Sequence, residues 1–319
     1  MMAGQRRVVI SALVLAWVGW AAVVWLGVDF ALSQLVLVCT YAIAGLGVVL
    51  IVGQSGQISL GQGALLALGA YAQALLTARG VPAPLALVIA IGLGAAGGWI
   101  ASLPARRLGG LYFAMSTLAF ALIVEEGLVR WEGLTRGNAG MLVPDFALGG
   151  WAAVSPASQA LVAVTALALA WWCCHRWVRS HHGLAWRSVR DDEVAAAACG
   201  VDVGRSKARA FVVGGGLSGL AGGLYAHFIG FISPEQFGLF LSFELLMLAF
   251  IGGSRHLAGA FWGALVIVAI PQFNALLRDL LPAAIVRPAG LEAIMFGLVI
   301  VAVILLRPQG IAGGAKLPR

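Results

Sequence analysis

The sequence has 319 residues, 61% hydrophobic and only 10% charged, with a formal net charge of +7, a pI near 9.8 and mean hydropathy +0.97. Soluble domains carry about 25% charged residues, so a water-soluble enzyme is excluded, and apolar runs repeated almost end to end describe one membrane domain over 1–319. The basic balance raises nucleic acid or acidic lipid as partners until the positions of the basic residues are known.

A helix needs roughly 20 apolar residues to cross the bilayer core. Candidate spans fall at 8–28, 31–52, 58–78, 84–103, 110–128, 156–175, 209–229, 239–253, 257–277 and 289–306. The expected fold is therefore an all-α polytopic bundle of about ten transmembrane helices. Arg6 and Arg7 ahead of the first run imitate a secretory signal, but the run outlasts a signal core and a second span follows at once, so a retained helix is expected. The eighth run is short and ends in glycines, which leaves open nine spans or a re-entrant piece.

With the N-terminus in the cytoplasm, 15 of the 20 basic residues lie inside, leaving Arg79, Arg130, Arg136, Arg278 and Arg287 outside. The positive-inside rule makes this the expected orientation, with both termini cytoplasmic. The same distribution explains the pI without nucleic acid. Residues 129–155 then form the longest outer loop, and 176–208 the longest inner loop, a length that implies a task of its own.

Between the second and third runs lies Gly53-Gln-Ser-Gly-Gln-Ile-Ser-Leu-Gly-Gln-Gly63. Read as a broken helix lining a cavity, it offers Gln54, Ser55, Gln57, Ser59 and Gln62 to a polar solute; read as a tight cytoplasmic turn, the same residues are caps. In the inner loop, Ser188-Val-Arg-Asp191 fits a helix-start pattern, the alanines 195–198 favour helix and Gly200 supplies a stop. A short helix over 190–199 follows, either a docking element or an amphipathic helix resting on headgroups.

Gly214-Gly-Gly-Leu-Ser-Gly219 matches the dinucleotide pattern GxGxxG, but it sits in an apolar run without a preceding strand. Gly215, Gly219 and Gly223 instead recur every four residues, as in close helix–helix seams. No GxxxxGK[ST] marks an ATP site, and Cys39, Cys173, Cys174 and Cys199 show neither CxxC nor neighbouring histidines, so no disulfide, metal or cofactor is expected. Glu244 and Glu292 are acids inside spans but near outer helix ends, where water and the helix dipole favour them. His181 and His182 read as a solvated face and His227 as a packing residue.

The 53–64 stretch followed by Gly69-Ala-Tyr, the run Gly110-Leu-Tyr-Phe-Ala-Met-Ser-Thr-Leu-Ala-Phe120, the segment 190–200, Lys207 to Phe211, Ser233-Pro-Glu-Gln-Phe237, Ile251-Gly-Gly253 and Arg307-Pro-Gln-Gly310 together resemble the LivM-type permeases of branched-chain amino acid ABC importers. The resemblance implies a second permease subunit, cytoplasmic ABC ATPase subunits, an external solute-binding protein and residence in a bacterial inner membrane, with membrane lipid around the chain. It places Arg190, Asp191, Asp192, Glu193 and Gly200 at the ATPase contact, although the Glu193-to-Gly200 spacing is looser than the general pattern of ABC importers. It puts the polar residues of 54–62, with Thr117, on the translocation path. Spans two to five and seven to ten would form an inverted repeat. Similar permeases carry urea or short amides; a secondary transporter using Glu244 or Glu292 is a rival from another class, and an intramembrane enzyme lacks any polar triad or metal cluster.

Overall fold

The computed structural model describes residues 29–106, 108–148, 151–280, 297, 301 and 309–313. Helix α1 (Asp29–Val48) runs on into a π-helical turn, Val49–Gln54. It stops where the amides of Ser55, Gly56 and Gln57 close back on the carbonyls of Leu50, Val52 and Ile51, and where Gly56 takes φ +73°. Residues 55–61 are not helical. Helix α2 (Gln62–Ala78) then resumes, followed by α3 (Ala83–Ser102) and α4 (Gly110–Arg130).

The expected outer loop is a folded cap. It contains α5 (Glu132–Thr135), β1 (Met141–Leu142), β2 (Ala147–Leu148) and β3 (Trp151–Ala152). β2 pairs with β3, and β1 pairs with a strand from the far side of the sequence, β4 (Phe231–Ile232), with Met141 opposite Ile232. His227 fastens this cap to the bundle. Its Nδ1 donates to Pro144 O at 2.7 Å, leaving Nε2 to accept from Gln73 Nε2 at 2.8 Å, while Gln73 also donates to Ala83 O. It is a packing residue with both ring nitrogens engaged.

The chain then crosses as α6 (Pro156–Val178), and at its far end makes α7 (His181–Asp191) and α8 (Glu193–Ala198). Helix α9 (Val203–Ile229) begins at Asp202, whose carboxylate accepts from Arg205 N at 2.8 Å, and ends at Gly230 with φ +72°. After a 3-10 turn at Pro234–Phe237, α10 (Leu239–Gly252) and α11 (Leu257–Leu280) complete the described bundle.

α9 is the hub, packed on α1, α2 and α3. Its contact with α3 is made by glycines: a Cβ on Gly94 would overlap the Gly215 carbonyl, and one on Gly219 the Ala90 carbonyl. In lipid, where helices gain little from burying apolar surface, such close backbone approach supplies the attraction. The GxGxxG run is thus a helix seam. Around it, Leu46, Leu50, Leu66, Leu245 and Leu248 form a buried core between α1, α2 and α10.

Six helices among the described residues are long and apolar enough to cross a membrane. The expected span at 8–28, and that at 289–306 apart from Gly297 and Val301, lie outside the described residues. α2, at 17 residues, is shorter than the expected 58–78 because the irregular stretch takes up its start, and α11 is apolar over Leu257–Phe273.

The helix expected over 190–199 divides in two. Ser188 is no cap: it lies inside α7, and its hydroxyl donates to the Leu184 and Ala185 carbonyls. The cap is Asp192, in an extended conformation (φ −160°, ψ 112°), whose Oδ1 accepts from Val194 N at 2.8 Å and Ala195 N at 2.9 Å. An aspartate immediately before the helix satisfies two orphan amides directly, which a serine four residues earlier cannot do. Gly200, at φ +83°, stops the helix as expected. His182 also departs from a solvated face, since its ring stacks on Trp177 at 5.2 Å.

Candidate translocation and coupling site

Residues 53–62 run inward from the end of the bundle that carries α7 and α8. Near that end, Gln54 Nε2 donates to Arg255 O at 2.9 Å and Ser55 Oγ to Ile51 O at 2.8 Å. Further in, Leu60 N donates to Thr117 Oγ1 at 3.0 Å, two turns into α4. At mid-bundle Gln62 Oε1 accepts from Ser218 Oγ at 3.0 Å, and Gly63 N donates to Ser242 Oγ at 2.9 Å. A tight surface turn cannot make contacts at these successive depths. The stretch is a broken helix buried in protein, one of the two circumstances that tolerate irregular backbone inside a bilayer.

The side chains are not disposed as the sequence suggested. Gln54, Ser55, Gln57, Ser59, Gln62 and Thr117 are all buried within this chain. Gln57 reaches back to Ser55 O, and Ser59 Oγ accepts from Gly61 N. What the stretch exposes is Gly56 and Ile58, the latter 45% accessible. Gln54 Oε1 and Gln62 Nε2 find no partner among the described residues.

The residues expected at an ATPase contact have tasks inside the chain. Arg190 Nη1 donates to Gly53 O at 2.9 Å while its Nη2 pairs with Asp191 Oδ1 at 2.9 Å. Asp192 caps α8. Glu193, 48% exposed, pairs with Lys207 at 2.7 Å, whose side chain is only 2% exposed. A lysine so deeply buried needs that carboxylate, because an unpaired charge in such a place is costly. What α8 leaves open is an apolar face, where Val194 is 80% exposed.

Three distant segments meet beside Arg190. Gly53 lies so close to Ser254 that a Cβ would overlap the Ser254 carbonyl oxygen, and Gly56 carries Arg190 Cγ where its own Cβ would stand 2.8 Å away. From the other side, Ile311 N and Ala312 N donate to the carbonyls of Ile251 (3.0 Å) and Gly252 (2.9 Å). Sequence reasoning passed over Lys207, Ser218 and Ser242 as site residues. A lysine opening an apolar helix was the one visible signal among them; the two serines are marked only by their partners. Of the acids in spans, Glu244 accepts from Tyr41 Oη at 3.5 Å, and Glu292 lies outside the described residues. No group of metal-binding side chains occurs among the described residues.

A family model described as "Branched-chain amino acid transport system / permease component" matches residues 30–305. The chain belongs to this permease family. The permease is 32% identical, across 96% of its own length and 75% of the relative's, to the high-affinity branched-chain amino acid transport system permease protein LivM of Escherichia coli (strain K12). It is 25% identical to the corresponding LivH of Salmonella typhimurium across 88% of its own length and 93% of the relative's. It is also 28% identical to the autoinducer 2 import system permease protein LsrC of Enterobacter sp. (strain 638), across 88% and 78% respectively. No solved structure matches. As a multi-pass membrane permease component, the permease is not itself an enzyme.

Proposed function

We propose that this permease is one subunit of an ATP-driven importer of branched-chain amino acids in a bacterial inner membrane, with both termini and the 176–208 loop in the cytoplasm. A second permease subunit, ABC ATPase subunits and an external solute-binding protein complete the importer. The observation that carries the reading is the hydrogen bond from Arg190, beside the exposed α8, to Gly53 at the break in the first described helix. It joins a surface suited to a cytoplasmic motor to the irregular backbone suited to a solute path.

The path runs along the side of 56–60 that this chain leaves open. Hydrocarbon is a poor neighbour for irregular backbone, so this face borders water or a second permease chain. Gln54, Ser55, Gln57, Ser59, Gln62 and Thr117 hold that wall in shape, and the unpartnered amide atoms of Gln54 and Gln62 are its reserve of polar groups. ATP-driven movement of α8 shifts Arg190 and with it the wall, favouring one orientation of the bundle over the other. Ten spans in two inverted halves extend the helices described above.

Branched-chain solute is favoured by the 32% identity to LivM and by Ile58, an apolar side chain, on the open face. The test is uptake of labelled leucine and labelled urea with the partner subunits present, with and without the gene and with ATP depleted in parallel. ATP-dependent leucine uptake that vanishes with the gene supports both class and substrate. Urea uptake alone moves the substrate, and gene-dependent uptake surviving ATP depletion sinks the class.

A further inference from the structure

We infer that the α6–α7 corner and the first turns of α9 form a site for the phosphate of an anionic phospholipid headgroup. The inference starts from a count of charges. Residues 176–209 hold four carboxylates, and all are occupied: Asp191 by Arg190 (2.9 Å), Asp202 by Arg205 (3.2 Å), Glu193 by Lys207 (2.7 Å), and Asp192 by the amides it caps. Arg176, Arg179, Arg187 and Arg209 have no carboxylate in ion-pair reach among the described residues. Arg187 turns inward to Val178 O at 3.3 Å; the other three are exposed.

Arg176 and Arg179 share one face of α6, and Arg209 is tied to the α6–α7 corner through His182. Arg176 lies over the Trp172 ring at 5.2 Å, and Arg179 Nη1 stands 3.2 Å from His175 Nε2, on the same face one turn on. Arg209, from another helix, reaches His182 Nδ1 at 3.3 Å, and the His182 ring stacks on Trp177 of α6. Planar guanidinium forks suit phosphate oxygens better than lysine ammonium groups do.

Their level in the molecule selects the occupant. α6 is one of the six membrane-spanning candidates, and Leu169 and Trp172 (49% exposed) lie on its outward surface near the end. An exposed tryptophan there marks the boundary between hydrocarbon and headgroups, so Arg176 stands beside a headgroup phosphate, whereas the α8 face belongs to a protein partner. A positive-inside bias explains why arginines gather at this end; it does not explain why each local carboxylate is spent elsewhere. The inference needs only that α6 spans the bilayer, and it stands or falls apart from the transport reading.

The test is lipid retention by the detergent-purified complex, read by native mass spectrometry, with phosphatidylglycerol, phosphatidylcholine and inorganic phosphate in separate arms. The expected result is selective retention of phosphatidylglycerol, not displaced by phosphate, and a fall of about tenfold or more in R176Q/R179Q/R209Q, since an arginine beside a charged bilayer contributes about fivefold. The all-lysine variant should retain more than the all-glutamine one, and R176Q alone should show a partial loss if the triple variant accumulates poorly. Equal retention by parent and glutamine variants overturns the site. So does displacement by free phosphate.

Discussion

Arg190 and Gly53, 137 positions apart, are joined by a 2.9 Å hydrogen bond from guanidinium to main-chain carbonyl. Its acceptor lies in the π-helical turn where the first described helix breaks, and its donor is the last arginine before α8. In Arg190→Gln, which is too short to reach, ATP hydrolysis by the assembled importer should persist while solute moved per ATP falls several-fold. A charge-assisted hydrogen bond contributes about 1.5–3 kcal/mol, enough for such a shift. Uptake and hydrolysis falling in equal proportion would assign Arg190 a purely structural role.

Glu193 is the partner of a buried lysine, so changing it disturbs the permease before it disturbs any docking. Glu193→Ala should lower stability by about 1–2 kcal/mol, less than the 3–5 kcal/mol for breaking a fully buried pair because Glu193 is half exposed. Lys207→Met should be tolerated better than Glu193→Ala, since it removes the charge that needs a partner. Thermal unfolding of the purified variants reads both, and the reverse order would contradict the burial argument.

Val194 tests the proposed docking of ATPase subunits on α8. It touches little in this chain, and Val194→Asp should leave the melting temperature unchanged while reducing co-purification of ATPase subunits by about tenfold, the scale of a modest interface anchor. Unchanged co-purification would move the contact off α8.

Ile58 reports on the open side of the broken helix. In a background lacking the native exposed cysteines Cys173 and Cys199, Ile58→Cys should react with a membrane-impermeant thiol reagent in the assembled importer, and solute should slow the reaction. Val88→Cys, on an exposed apolar face of α3, should stay unlabelled. An unreactive Ile58→Cys in all states would argue against an aqueous path there.

Two glycines separate crowding from backbone strain. At Gly53 any Cβ meets the Ser254 carbonyl, and Gly53→Ala should prevent accumulation of folded permease. Gly200 has open space around it and needs only its positive φ. Gly200→Ala should cost about 1 kcal/mol, the ordinary penalty of a left-handed alanine, and the protein should still assemble. Expression and size-exclusion profiles compare the two.

Much was legible in the chain itself. Membrane crossing follows from runs such as 31–52 and 156–175, because transfer into hydrocarbon is nearly additive over neighbouring residues and is read locally. The glycine seam on α9 was likewise visible as a spacing, and so was the stop at Gly200. The polar stretch at 53–63 announced itself by composition, but the direction of its side chains did not: Gln57 and Ile58 are neighbours, one buried and one exposed, and only the packing of α4, α9 and α10 decides which. Arg190 and Glu193 stood out as charges on an inner loop, yet each is satisfied within the permease by a partner, Gly53 and Lys207, at a distance that no local pattern encodes. The sequence by itself determined which segments enter the bilayer and which residues could carry polar contacts. The tertiary structure decided which of those contacts face inward and which surfaces remain open, because burial and pairing depend on segments more than 200 positions apart, such as Gln54 and Arg255 (201 apart).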